Sequence, residues 1–528
     1  MTTLIIHGHF YQPPRENPWT GIIDPEPGAE PFHDWNELVH AECYGPNTAV
    51  RILDPVGKEL LVNNYAHINF DFGPTLLSWL ERSHAETYAR IISADVESRR
   101  RNNGHGNAIA QAYNHAILPL ANERDRRTQV CWGLADFRYR FGREPESMWL
   151  PETACNDDVL GLLIDEGLRF VILAPQQAAR VRKSRISILA SADETMNADL
   201  KDSWQIVTDK TLDTSVPYNY FHRDGSGRSL AVFFYDEQLA HAIAFERALA
   251  SSTLLVARFA SRATGTGGLV NVATDGESYG HHHKFGELCL AYALTLDAPA
   301  RGFTITNYGD YLDRHAPEME VEISNGPEGE GSSWSCAHGV SRWIRDCGCH
   351  TGGEPGWNQS WRRPLRTALD ILRDEAARVF EATRGELFVD PWAARDEAIS
   401  LILEGPKSRD EFLRRQAPRN LSPEEQRQAF LFLELQQNAL LMYTSCGWFF
   451  TDISGIEPVQ ILKYAARAID LMAQLGLPSQ REQFLQTLSE AKSNRPGLGN
   501  GADIYRRLVE PCNPSFKKGE ERLADIIA

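Results

Sequence analysis

The sequence predicts a barrel-like α/β domain followed by an α-helical domain, and three observations carry that expectation. Up to about Pro317, short β-rich runs alternate with helical patterns, the signature of repeated βα units around a parallel sheet or barrel. From Leu365 onward apolar residues recur at helical spacing. Between them, residues 318–364 are dense in Gly, Ser, Cys and Trp and carry Pro327, Pro355 and Pro364, the composition of a long irregular connection. The expected division is therefore 1–317 for the barrel, 318–364 for a Cys/Trp-rich connecting segment, and 365–528 for the helical domain.

Each element has a local reason. Leu4-Ile5-Ile6 reads as the first strand and Ser147-Met148-Trp149-Leu150 as a brief later one. Asn156 caps a helix with Asp157 and Asp158 in its first turn, Val159, Leu160, Leu163 and Ile164 on one face, and Gly167 at its end. Phe170–Leu173, Leu230–Phe234 and Leu269–Ala273 are further buried strands, the last leading through a polar loop into a helix from about Phe285 to Leu296. In the helical part, Leu365, Leu369 and Leu372 make one stripe and Leu462, Ala465, Ala466, Ile469 and Met472 another. Trp334, Trp343, Trp357 and Trp361 in the connecting segment need burial or a ligand face, so the segment is expected to be ordered.

Composition narrows the function classes. The 528 residues are 42% hydrophobic, 10% aromatic and 24% charged, which excludes a disordered or fibrous chain. No stretch reaches the about 18 to 20 consecutive apolar residues of a membrane span. A net charge of -17, from 71 acidic and 54 basic residues, repels phosphate backbones and anionic bilayers. Arg99–Arg101 and Arg124, Arg126 and Arg127 read as solvated helix faces, so neither nucleic acid nor membrane is an expected partner. The N-terminus lacks a basic region and a small-residue cleavage site, and the nine cysteines are mostly dispersed, which suits reduced thiols. The expected location is the cytoplasm.

Polar clusters follow the predicted strands, on the edge where barrels assemble active sites. His7-Gly8-His9-Phe10-Tyr11-Gln12 puts two imidazoles on one face of an extended segment; the pattern suits a polyol, a metal ion or structural hydrogen bonding. Trp149-Leu150-Pro151-Glu152 fixes a carboxylate after a proline at a helix start, as a nucleophile requires or as a helix-start acid would be placed. Asp275-Gly276-Glu277-Ser278-Tyr279-Gly280-His281 follows a strand with tight backbone at its glycines, and offers a general acid or a metal site. Tyr235-Asp236-Glu237-Gln238 with His241 reads as a substrate clamp or a solvated loop.

Taken together, these segments resemble glycoside hydrolase family 57, whose members include α-amylases, 4-α-glucanotransferases and branching enzymes. The resemblance covers residues 1 to about 456. It implies an incomplete (β/α)7 barrel with a helical domain closing the cleft, an oligo- or polysaccharide substrate, and no cofactor. Carried over by motif, Glu152 is the nucleophile and Asp275 the general acid/base. His7, His9, Gln12, Trp149, Glu277, Tyr279 and His281 are implied substrate contacts. The segment Gly106–His115 occupies the place of a short family region and departs from its usual form, with His115 as its sugar contact. Ser445-Cys446-Gly447-Trp448-Phe449-Phe450-Thr451-Asp452 resembles the family's last region, with Trp448 and Asp452 reaching the cleft. Trp149, Tyr279 and Trp448 are equally readable as sugar platforms or as core.

The chemistry stands beside the resemblance. A retaining glycosidase needs two carboxyl groups about 5–5.5 Å apart, one ionised and one protonated, with the acid's pKa raised by burial and by its neighbour. Two other readings compete. One is a metal-dependent hydrolase of the amidohydrolase or polysaccharide-deacetylase kind using His7, His9, Asp275 and one of His281–His283; the other is a non-catalytic glycan-binding protein. Cys336, His338, Cys347, Cys349 and His350 form a further cluster whose composition permits tetrahedral zinc, ordinary loop packing or a cleft-lining role. No metal is assigned.

Overall fold

The structure is a computed structural model describing residues 2–184, 204–263 and 268–514. It divides into two compact units that are discontinuous in sequence, unlike the blocks read along the chain. The first takes residues up to Gln12, Pro25–Ala112 and Phe137–Ser335; the second takes Pro13–Asp24, Tyr113–Asp136 and the chain from Cys336. Both helices and strands are extensive, so the class is mixed α/β.

The first unit is organised by strands Thr2–Phe10 (β1), Asn69–Phe72 (β2), Ala110–Gln111 (β3), Met148–Trp149 (β4), Phe170–Leu173 (β5), Ser229–Phe234 (β6), Leu269–Asp275 (β7) and Phe303–Ile305 (β8). β1 runs parallel to β7, to β8 at its start and to β2 at its end. With parallel neighbours on both sides, its apolar run Leu4–Ile6 is buried without alternation. Parallel pairing continues from β2 through the Phe70–Ala108 bridge to β3, from β3 to β4, from β4 through the Ser147–Phe170 bridge to β5, and from β5 to β6. Just past β6, the Asp236 N–H donates to the Asn271 carbonyl in β7 at 2.9 Å. Tyr218–Phe221 and Met319–Ile323 extend the β5–β6 sheet.

Side chains alternate across each strand. Ile5, Trp149, Phe170, Ile172, Ala231, Phe233, Leu269 and Ala273 belong to one buried cluster. Residues in step with them toward the strand C-termini are polar: His7 and His9 follow Ile5, and Asp275 follows Ala273. The helix Asp157–Asp165 forms as its sequence dictates, with the Asn156 side chain accepting from the Val159 N–H at 3.0 Å and Gly167 turning the chain at φ +77°.

In the second unit the helices Arg362–Glu381, Pro423–Leu441 and Ile456–Gln474 pack on one another along their expected apolar stripes. Between Ser324 and Trp361 the only helical element is the short turn Ser341–Trp343. Trp343 and Trp361 are nonetheless fully buried, and the Trp343 indole donates to the Ser445 carbonyl at 3.1 Å. Among the described residues no helix is long and apolar enough to cross a membrane.

Candidate active site

At the C-terminal end of β1, alternation brings both imidazoles to one side, and β2 supplies their common partner. His7 Nε2 lies 2.9 Å from Asp71 Oδ1, and His9 Nδ1 lies 2.8 Å from Asp71 Oδ2. The two rings share this carboxylate in different states. Burial pushes the His7 pKa down despite Asp71, with His9 adding to the effect. Burial opposes the charge on His9 too, but Asp71, Asp275 and Glu277 outweigh it and raise its pKa to about 9. At neutral pH the pair therefore holds a neutral His7 donating to Asp71 and an imidazolium at His9. Both rings stack on Trp149, with centroids at 4.7 and 5.0 Å.

Glu152 follows β4 on a strained turn. Its φ is +59° and that of Thr153 is +50°, a left-handed conformation that a β-branched residue rarely adopts. Gln177 holds this turn in place: its Oε1 accepts from Thr153 Oγ1 and its Nε2 donates to the Thr153 carbonyl, each at 2.8 Å. The Glu152 carboxylate is itself aimed by two donors on one oxygen, Trp334 Nε1 at 3.0 Å and Ser335 Oγ at 2.6 Å. The Trp334 ring meets Trp149 edge-on at 5.2 Å.

Asp275 closes β7 opposite His9 in the β1–β7 register. It is open to solvent, yet protein crowds it closely. That crowding raises its pKa to about 6; the His9 charge pulls it down, while Glu152 and Asp71 push it further up. Glu277, two residues on, is buried and accepts from Tyr44 Oη at 2.6 Å and the Tyr11 N–H at 3.1 Å. Burial and then Asp275 raise its pKa to about 7. The turn between them needs Gly276, because a Cβ there would stand 2.3 Å from the Phe10 ring. The assembly thus offers an aimed carboxylate, a carboxyl group that keeps its proton up to about pH 6, and a fixed cation.

The structure gathers His7, His9, Trp149, Glu152, Asp275 and Glu277 in the first unit, with Gln12 just beyond β1. Other expected site residues have different roles. Trp149 gives its face to the imidazoles rather than to an open platform. Tyr279 is fully buried and accepts from Thr274 Oγ1 at 3.1 Å, so it packs. His281 pairs with Glu42 at 2.6 Å. Asp236 caps the helix Glu237–Phe245 and binds Arg262, and exposed His241 pairs with Glu246. In the second unit, His115 bonds Ser445 Oγ at 2.6 Å, Trp448 is buried and donates to the Arg362 carbonyl, and Asp452 accepts from Ser454, Ser493 and Asn494. All three are hydrogen-bonded within the second unit.

Sequence reasoning missed Asp71, Gln177, Ser335 and Tyr44, and singled out Trp334 only as needing burial or a ligand face. It also passed over Gln111, within a segment it had singled out. Both amide atoms of Gln111, Trp149 Nε1 and His7 Nδ1 are buried without a hydrogen-bond partner among the described residues. Such orphaned polar groups mark places where a ligand or water completes the bonding. The His-x-His motif and Asp275 do not form a group of three ligand atoms within 4.8 Å of one another among the described residues.

The sequence and the fold have counterparts among known proteins. Over 107 residues, 20% of this chain and 15% of the other, it is 26% identical to Alpha-amylase 1 of Dictyoglomus thermophilum; the chain thus spans a small part of that relative's length. The fold is similar to that of an exo-type maltose-forming amylase from Pyrococcus sp. ST04, with TM-score 0.67, 14% identity, and coverage of 99% of this chain and 94% of that one. A branching enzyme from Thermococcus kodakaraensis gives TM-score 0.54 at 14% identity, covering 98% and 95%. Residues 357–523 match a domain of unknown function, DUF3536. Residues 36–324 match Glycosyl hydrolase family 57, and because this is more than half of the 528 residues, the chain belongs to that family.

Proposed function

We propose that this protein is a retaining glycoside hydrolase or glycosyl-transferring enzyme acting on α-glucans, by double displacement between Glu152 and Asp275. The cyclic succession of parallel pairings from β1 through β7 is read as an incomplete (β/α)7 barrel, with the carboxylates on its C-terminal rim and the helical block as its partner domain. One observation carries the mechanism: burial raises the pKa of Asp275 to about 6 against the pull of His9, and Glu152, aimed by Trp334 and Ser335, adds to that rise. Glu152 attacks the anomeric carbon while Asp275 gives its proton to the departing glycosidic oxygen. Asp275, now ionised beside the His9 imidazolium, then takes a proton from water or from a sugar hydroxyl that attacks the glycosyl-enzyme ester. Neutral substrates suit a site that carries its own counter-charge, and the names of the similar amylases and branching enzyme supply the glucan.

Product analysis on maltooligosaccharides, starch and glycogen tests the reading. Glu152→Gln is expected to lower kcat by at least about 10³-fold while oligosaccharide binding persists, and Asp275→Asn to lower it mainly for substrates with poor leaving groups. A Glu152→Gln variant turning over near the wild-type rate refutes the nucleophile. Absence of any processed α-glucan with the wild type refutes the substrate class, and retained binding without turnover would favour a glycan-binding protein.

A further inference from the structure

Outside the carboxylate site, the second unit holds a four-residue cluster that the proposed glycosidase chemistry does not use. Cys336 and His338 come from one end of a turn, Cys347 and Cys349 from the other, and their four donor atoms lie within 4.8 Å of one another. Cys336 Sγ is 3.8 Å from Cys347 Sγ and 3.9 Å from Cys349 Sγ, while Cys349 Sγ is 3.5 Å from His338 Nδ1. These separations can be compared with a coordination polyhedron. With zinc–sulfur bonds of about 2.3 Å and zinc–nitrogen bonds of about 2.0–2.1 Å, tetrahedral angles separate two sulfurs by about 3.8 Å and a sulfur from a nitrogen by about 3.5 Å. A disulfide would instead bring two sulfurs to about 2.05 Å.

The surroundings agree with a metal. Gly348, at φ +80°, turns the chain between the two cysteines so that both sulfurs face one point. Arg342 and Arg362 are buried beside the cluster, and Nε and Nη1 of Arg342 and Nε of Arg362 have no hydrogen-bond partner among the described residues. Three thiolates, a neutral imidazole and a divalent zinc leave one negative charge, which joins Asp346 in facing these guanidiniums; three neutral thiols would leave Asp346 to face them without that second charge. His350, included in the cluster when read from sequence, bonds the Gly352 carbonyl at 2.8 Å and stands apart.

We infer that Cys336, His338, Cys347 and Cys349 bind one structural zinc ion that ties together a segment otherwise nearly devoid of helix and strand. With all four positions filled by protein, the ion keeps none open for a substrate. Binding releases the thiol protons to solvent and changes no oxidation state.

The full chain, expressed without a histidine tag, is expected to carry about one zinc per chain by plasma mass spectrometry. Cys347→Ser is expected to fall below about a tenth of that content, whereas Cys131→Ser keeps it. Cys336, Cys347 and Cys349 should resist iodoacetamide until a chelator strips the metal. Should Cys347→Ser fail to fold, chelator-treated wild type reloaded with Co²⁺ is expected to show the visible and thiolate charge-transfer bands of a tetrahedral site. Zinc-free protein whose three thiols alkylate as fast as Cys131, iron in place of zinc, a Cys336–Cys347 disulfide, or cobalt uptake without those bands each overturns the inference. None of these readouts depends on glucan turnover, so they stand or fall apart from the proposed activity.

Discussion

His9 stands against three carboxyl groups, Asp71, Asp275 and Glu277, and its charge pulls down the pKa of the last two. A general acid with a pKa of about 6 loses its proton above that pH, so the rate should fall along an alkaline limb. The imidazolium favours the ionised form of Asp275, so removing it raises that pKa. His9→Asn is expected to move the alkaline limb upward by about one pH unit and to lower kcat, as read from a pH–rate profile; an unmoved limb would separate His9 from the acid. The two histidines and both carboxylates were legible in the sequence because each follows a buried β-run. Asp71 was not, because Asn69-Phe70-Asp71-Phe72 turns its polar side inward, against the pattern that marks a half-exposed strand. Ser335 was hidden for another reason: nothing local connects it to a glutamate 183 positions away.

The turn carrying Glu152 shows how an element's strain can serve its geometry. Residues in left-handed φ cost about 1–3 kcal/mol each and persist only where surrounding bonds hold them. Gln177 supplies those bonds, closing on Thr153 from both ends of its amide. Gln177→Ala is expected to destabilise the protein by about 1–3 kcal/mol and to reduce kcat more than it changes KM, measured by denaturant unfolding and steady-state kinetics. The helix Asp157–Asp165 could be read from its cap, first-turn acids and terminal glycine. The strands Ala110–Gln111 and Met148–Trp149 are two residues long, too short for any period to show, and exist through parallel neighbours distant in sequence.

For the molecule as a whole, the site's buried acids set a term in the pH dependence of stability. The Glu277 pKa rises from 4.5 to about 7 on folding, so the folded state holds that proton longer than the unfolded chain. Its stabilising contribution is complete below about pH 4.5 and is lost as the pH climbs through about 7. Glu277→Gln retains an acceptor for Tyr44 and cannot ionise. It should therefore be more stable than wild type by roughly 3 kcal/mol at pH 8 and equal to it near pH 4, as followed by thermal unfolding across pH. The division of the chain into two discontinuous units was not legible, because Pro13–Asp24 and Tyr113–Asp136 join the second unit through packing that leaves no boundary mark in composition. Glycine in place of Thr153 would relieve the backbone but give up the buried hydroxyl that bonds Gln177, so a screen rewarding heat resistance alone would find little to gain where the glutamate is aimed.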